Sequence, residues 1–196
     1  MWLGLVRFGK EVIKMETMRS IKNIVRVEFE LESVCPLLMD KWNDESTAKT
    51  DEEYKKEAEK KIYRDEKGNP CIESRAIKAL MRMASSELGK KMEGKKNRQM
   101  ISAGIFMEPT NLVVGKKKPD LIRKDIVSRN ASGKITRVPT YRPQFNDWKV
   151  KGLMNLIGVA QDFAIQSLEL GGLKYGLYGF RPEFGRFKVI SWKVIK

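Results

Sequence analysis

Ile24-Val25-Arg26-Val27-Glu28-Phe29-Glu30-Leu31-Glu32-Ser33-Val34 alternates without a break: Val25, Val27, Phe29 and Leu31 face one way, and Arg26, Glu28, Glu30 and Glu32 the other. A period of two is the signature of a strand with one buried face. Cys35-Pro36 ends it, and Leu37-Leu38-Met39 begin a connection. Residues 51–63 are mostly Glu and Lys, with Glu53, Glu57 and Lys61 spaced i,i+4, which predicts a solvated helix. Lys67-Gly68-Asn69-Pro70 is a turn. Ser74 is placed to cap a helix over about 75–88, whose apolar stripe is Ile77, Leu80, Met81 and Leu88.

After Gly89 comes a basic stretch, Lys90, Lys91, Lys95, Lys96 and Arg98, and then a short apolar strand over 101–107. From Pro109 to Phe145 the chain is polar, cationic and irregular, with strand-like pieces near 111–114 and 121–128 and a hairpin turn at Asn130-Ala131-Ser132-Gly133. Strand character returns at Trp148, Val150, Leu153 and Leu156, a helix follows over about 159–170, and a last strand covers 186–195. Stripped of the excursions, the order is strand, helix, strand, strand, helix, strand. That order predicts an α+β fold, a ferredoxin-like or RRM-like βαββαβ antiparallel sheet with two helices on one face. Insertions follow strand 1 (about 40–73) and separate strands 2 and 3 (about 109–145). Residues 1–21 read as an N-terminal extension, with Met15 and Met18 as alternative starts, and 22–196 as one domain.

The 196 residues carry a net charge of +14, with 41% apolar and 33% charged side chains, the composition of a soluble globular chain. The charge is concentrated. Residues 90–151 hold 16 Lys/Arg against 5 Asp/Glu, whereas the other 134 residues have a net charge of only +3. Such a patch is the electrostatic footprint of a nucleic-acid binder. Histidine is absent, and Cys35 and Cys71 are the only cysteines. That excludes imidazole acid–base catalysis and zinc sites of the usual kind, and points to a reducing, cytoplasmic home. No apolar run approaches the length of a membrane span, and nothing in the chain calls for a cofactor or a metal.

Three regions are candidates for holding a polymer. Five glycines fall within residues 171–185, among aromatics and Arg181 and Arg186. Gly176, Gly179 and Gly185 let a backbone approach closely and offer amides to phosphates, although glycines also build ordinary turns. The start of the first helix, Ser74 with Arg75 and Lys78, resembles an anion site and equally an ordinary cap. The third is the cationic excursion, with Lys116, Lys117, Lys118, Arg123, Lys124, Arg129, Lys134, Arg137 and Arg142, and Tyr141 and Trp148 as stacking partners.

Three motifs together resemble the RAMP superfamily, the ferredoxin-fold RNA-binding subunits of CRISPR effector complexes, and in particular its short phage-encoded and mobile-element members. They are Ser33-Val34-Cys35-Pro36-Leu37-Leu38-Met39 after the first strand, Gly68-Asn69-Pro70-Cys71-Ile72-Glu73-Ser74-Arg75-Ala76-Ile77-Lys78-Ala79-Leu80-Met81-Arg82 at the first helix, and Gly176-Leu177-Tyr178-Gly179-Phe180-Arg181-Pro182-Glu183-Phe184-Gly185-Arg186-Phe187. The resemblance spans about residues 22–195. It implies a non-catalytic subunit that grips single-stranded RNA, with single-stranded DNA as the alternative polymer, and that self-associates or joins other effector subunits. Some relatives cut RNA with a loop acid after the first strand, which makes Asp40 and Asp44 the candidates for an endoribonuclease. A third alternative is a phage-borne protein that docks onto a CRISPR complex or coats viral nucleic acid.

Overall fold

A computed structural model of the chain describes residues 24–42, 48–89, 91–131 and 133–195. The expected N-terminal extension and Asp44 lie outside them, as do the side chains of Arg129 and Lys134. The central strand is the alternating one: β1 (Ile24–Ser33) buries Val27, Phe29 and Leu31 completely. A two-residue strand β2 (Leu37–Leu38) follows, then α1 (Asp51–Ala58), β3 (Cys71–Glu73), α2 (Ser74–Ser85), α3 (Gly94–Gly104) and β4 (Ile105–Glu108). Next come β5 (Asn111–Val113), β6 (Leu121–Ala131), β7 (Lys134–Phe145), β8 (Lys149–Ile157), α4 (Gln161–Lys174) and β9 (Phe187–Ile195).

The main sheet has the order β4-β8-β1-β9, and each neighbouring pair is antiparallel. With α2 between β1 and β4, and α4 between β8 and β9, this is the expected ferredoxin-like arrangement. Ile77, Leu80, Met81 and Ala84 of α2 and Ala164 and Leu168 of α4 bury one face of the sheet. On the other face a row of carboxylates on β1 meets lysines on its neighbours: Lys149 and Lys188 both reach Glu32 at 2.7 Å, and Lys151 reaches Glu30 at 3.2 Å.

Four expectations need correction. Helix α3 occupies the basic stretch and takes Ile101–Gly104 from the expected strand, which begins only at Ile105. What holds it is tertiary: the buried Asn97 carboxamide donates to the carbonyls of Ser85 and Leu88, at 3.1 and 2.6 Å. Ser74 is the first helical residue of α2, and Glu73 occupies the cap position with no side-chain cap bond. Helix α4 runs on through Gly171 and Gly172, the first residues of the expected loop. A β-carbon at Gly171 would lie 2.1 Å from Leu80 Cδ2, and one at Gly172 2.6 Å from the Phe187 carbonyl, so these glycines let α4 sit close on α2 and β9.

The last correction concerns the region 109–145, which is regular for most of its length. Strands β6 and β7 form one long hairpin in register from Leu121↔Gln144 to Ala131↔Lys134. Helix α1 is exposed along most of its length, as expected of a solvated helix, and it also touches the hairpin. Tyr54 of α1 stacks on Tyr141 of β7 with centroids 5.8 Å apart, and Lys124 reaches Asp51 at 2.6 Å. Asp51 lowers the acidity of Lys124, and Lys124 holds the Asp51 carboxyl below its ordinary range.

Candidate nucleic-acid interface

The residues between α4 and β9 fold back onto the turn that follows β1. The Gly179 N–H donates to the Leu38 carbonyl at 3.0 Å, the Gly185 N–H to the Pro36 carbonyl at 2.8 Å, and the Leu177 N–H to the Gly185 carbonyl at 3.0 Å. Gly176 and Gly185 sit at φ +70° and +76°, and a β-carbon on Gly185 would fall 2.1 Å from the Leu177 carbonyl oxygen. Their amides are spent inside the fold, since the Gly176 N–H also bonds the Gly171 carbonyl at 3.2 Å. Gly176, Gly179 and Gly185 therefore shape the loop and do not offer amides to phosphates. Arg186 is half-buried; its N–H donates to Cys35 Sγ at 3.2 Å, and its Nε is buried with no partner. Arg181 stays exposed.

The latch carries the loop's aromatic rings to the hairpin. The Arg142 guanidinium lies 4.4 Å from the centroid of Phe180, and that of Arg123 lies 4.9 Å from Phe184. Arg142 Nε also donates to Asp40 Oδ2 at 2.7 Å, and Lys61 approaches the other Asp40 oxygen at 3.4 Å. Loop, hairpin and the turn after β1 thus meet around one carboxylate. A cavity of about 350 Å³ opens there, lined by Asp40, Lys61, Tyr54, Thr140, Tyr141 and Arg142 among others. Among the polar atoms of its lining residues, Thr140 Oγ1, Tyr141 Oη and one terminal Arg142 nitrogen are buried without a hydrogen-bond partner among the described residues.

The expected cations divide into two sets. Lys116 pairs with Asp120 at 2.8 Å, Arg123 with Asp125 at 2.8 Å, and Lys124 with Asp51. Lys117, Lys118, Arg137 and Arg181 are exposed and make no ion pair among the described residues. Arg75 is paired with Glu73. Lys78 lies over Phe106 on β4, at the sheet edge opposite β9, and burial pushes its pKa below the ordinary lysine value. The structure therefore does not bring Lys78 to the loop–hairpin junction.

Tyr141 and Trp148 are buried, so neither is open to a base; the Trp148 Nε1–H reaches the Cys35 carbonyl at 3.3 Å instead. Sequence reasoning missed Lys61, which comes to Asp40 only through the fold, and it missed Lys41-Trp42, whose indole is 82% exposed. The signal for the latter was present: a cation and a large ring directly after the Pro-Leu-Leu turn. Among the described residues no group of three acidic or thiol side chains is placed to hold a metal ion. No helix among them is long and apolar enough to cross a membrane.

A chain of the cryo-EM structure of the Type III-B Cmr-beta bound to cognate target RNA superposes with a TM-score of 0.55 at 17% identity, over 100% of this chain and 68% of that one. This chain shares the fold of that Cmr-beta chain. A crystal structure of Cmr6 from Pyrococcus furiosus matches with a TM-score of 0.46 at 10% identity, over 85% of this chain and 98% of that one. No protein-family profile matches the sequence, nor does any curated protein. At this identity the likeness shows the ferredoxin-like architecture, and the chemistry has to come from the side chains.

Proposed function

We propose that the chain binds single-stranded RNA along its phosphate backbone at the junction of the glycine loop and the β6–β7 hairpin, as a non-catalytic subunit of a CRISPR-type ribonucleoprotein. The observation that carries this reading is the meeting of two segments far apart in sequence, through Arg142 on Phe180 and Arg123 on Phe184; Lys117, Lys118 and Arg137 of the same excursion and Arg181 of the loop are exposed and make no ion pair among the described residues. Unpaired guanidinium and ammonium groups are what phosphates recruit. The fold shared with a chain of an RNA-bound Cmr complex supports the same reading. The open sheet face does not compete, because its central strands present Glu30 and Glu32 neutralised by lysines and no aromatic ring.

Asp40 serves in this reading as the brace between Arg142 and Lys61, so no cleavage role is assigned to it. The test is the salt dependence of binding to an oligouridylate. For single strands each phosphate neutralised contributes about −0.7 to the slope of log affinity against log salt. Replacing Lys117, Lys118, Arg137 and Arg181 together by Ala flattens the slope by roughly 2 to 3 on this basis, whereas Lys116→Ala, already paired with Asp120, changes it little. An unchanged slope in the fourfold variant removes the hairpin from the interface. An oligothymidylate of equal length measures the preference between RNA and DNA.

A further inference from the structure

A second concavity, of about 300 Å³, opens next to the first and shares Lys41 and Trp42 with it. Its polar edge comes from the short ladder of β3 and β5, in which Glu73 and Asn111 are direct cross-strand partners. Side chains so paired stand on one face, within reach of a common ligand. Tyr63 supplies a flat wall, held by stacking on Tyr178 with centroids 4.6 Å apart and planes 13° from parallel. Tyr178 is itself fixed, accepting the Glu73 N–H at 2.9 Å. Arg64 and Arg75 complete the rim.

A ring to stack on, a carboxylate and a carboxamide on one face, and cations at the mouth are the three requirements of a nucleotide. The volume is at the low end of small-molecule sites and suits one nucleotide. The carboxylate selects the base, because it only accepts hydrogen bonds. Guanine presents two adjacent N–H donors, N1–H and the N2 amino group, that match its two oxygens. Adenine and cytosine set their amino group beside an acceptor, and uracil sets its single N–H between two. The Asn111 carboxamide, which makes no hydrogen bond among the described residues, is left to donate to guanine O6.

Arg75 now occupies the carboxylate, with Nη2 at 3.0 Å from both oxygens. Its side chain is 78% exposed, and such a surface ion pair is readily exchanged. An arriving guanine takes over Glu73 and frees the guanidinium for the nucleotide's own phosphate.

We propose that this cavity is a base-reading subsite that takes one guanine of the bound strand, with Glu73 and Asn111 on its Watson–Crick edge, Tyr63 on its face and Arg75 on its phosphate. The proposal rests on the single-stranded RNA reading above and adds sequence preference to a grip that otherwise ignores sequence.

The test uses four nonauridylates that differ only in the central base, G, A, C or U, bound to the full chain and followed by fluorescence anisotropy. The G oligomer binds about tenfold more tightly than the other three, the discrimination of one good bidentate pair. Glu73→Gln, which turns one acceptor into a donor, brings that ratio to within about twofold, and the ratio within each variant cancels any general loss of affinity. Equal affinity for all four oligomers, or a ratio that survives Glu73→Gln, overturns the subsite and leaves the backbone reading standing. If none of the four binds, the backbone reading has failed. Guanosine monophosphate against adenosine monophosphate then decides the pocket: a guanine preference identifies a free nucleotide as its ligand, and no preference overturns it.

Discussion

Replacing Arg142 by Ala separates a structural Asp40 from a catalytic one. The Arg142 side chain is 12% exposed, bonds Asp40 at 2.7 Å and lies 4.4 Å from the Phe180 centroid. Stranding one member of a fully buried ion pair costs about 3–5 kcal/mol. Asp40 is partly exposed and keeps Lys61 at 3.4 Å, so the ion-pair loss here is nearer about 1–2 kcal/mol. The stacked guanidinium adds about 1 kcal/mol, between the exposed and the desolvated limits for such contacts. The expected total is about 2–3 kcal/mol, or a fall in Tm of about 4–12 °C for a domain of this size. Urea unfolding, followed by the fluorescence of the buried Trp148, measures it. Asp40→Asn keeps an acceptor for Arg142 and loses only the charge, so it costs about 1 kcal/mol, and the double variant shows coupling of at least about 0.5 kcal/mol. Strictly additive losses, or an Arg142→Ala loss below about 0.5 kcal/mol, refute the brace. An Asp40→Asn variant of unchanged stability that loses an RNA-cleaving activity establishes the opposite role for this carboxylate.

Gly185→Ala forces a β-carbon to within 2.1 Å of a backbone oxygen at φ +76°; strain and overpacking together cost about 2–4 kcal/mol, read as a lower urea midpoint, and a loss under about 1 kcal/mol means that the loop is not latched. Glu32 titrates at about 2 instead of the ordinary 4.5, because Lys149 and then Lys188 bond its carboxylate. A depressed pKa contributes stability that is present above pH 4.5 and lost as pH falls from there towards 2, so Glu32→Gln flattens this limb of the acid-unfolding curve and leaves the neutral limb less changed. Burial pushes the Cys71 thiol up to about 11, so at pH 8 only about one molecule in a thousand carries the thiolate. Cys71 therefore resists iodoacetamide in the folded protein and reacts after denaturation, as mass spectrometry of the alkylated peptide reports.

What the sequence made legible follows from which residues bury a single face. Alternation in β1 is plain because Val27, Phe29 and Leu31 all enter one core, and the stripe of α2 is plain for the same reason. Helix α3 carries Lys95 and Lys96 in its first turn and glycine at both ends, a poor helix by local measure, and it forms through the Asn97 bonds to a neighbouring segment. Gly171-Gly172 reads as a helix stop because glycine costs about 1 kcal/mol relative to Ala in a helix interior. In the fold those residues are where α4 touches α2 and β9. The turn of the hairpin and its first strand were legible, whereas the second strand hid behind Pro139 and Pro143, which deny β7 two ladder donors, and behind two largely polar faces that leave no clean period of two. For the site, charge density located the hairpin, but the split between paired and unpaired cations depends on Asp40, Asp51, Asp120 and Asp125. Asp40 and Asp51 are distant in sequence from the side chains they meet.

That split bears on where this fold keeps its chemistry. A four-stranded sheet with two helices behind it can bind RNA by stacking bases on aromatic rings of its open face. Here the same positions on β1 are carboxylates, tied to lysines of β8 and β9, so the two central strands offer no ring to a base and little free charge to a polyanion, and the exposed ring of this face, Phe106, sits on the edge strand β4. The groups suited to RNA lie instead in the connections: the rings of Phe180 and Phe184 in the loop before β9, the cations of the hairpin between β5 and β8, and Trp42 beyond β2. The sheet contributes by position alone. Its β1 end fixes the Pro36–Leu38 turn, the turn accepts the Gly179 and Gly185 amides, and β2 pairs with β7 at Leu37↔Phe145 and Leu38↔Gln144. Each connection is thus anchored to the one strand whose burial is least ambiguous. A graft so anchored can change its side chains freely while its geometry stays set by Val27, Phe29 and Leu31, which is how a shared fold at 17% identity is compatible with a site of its own.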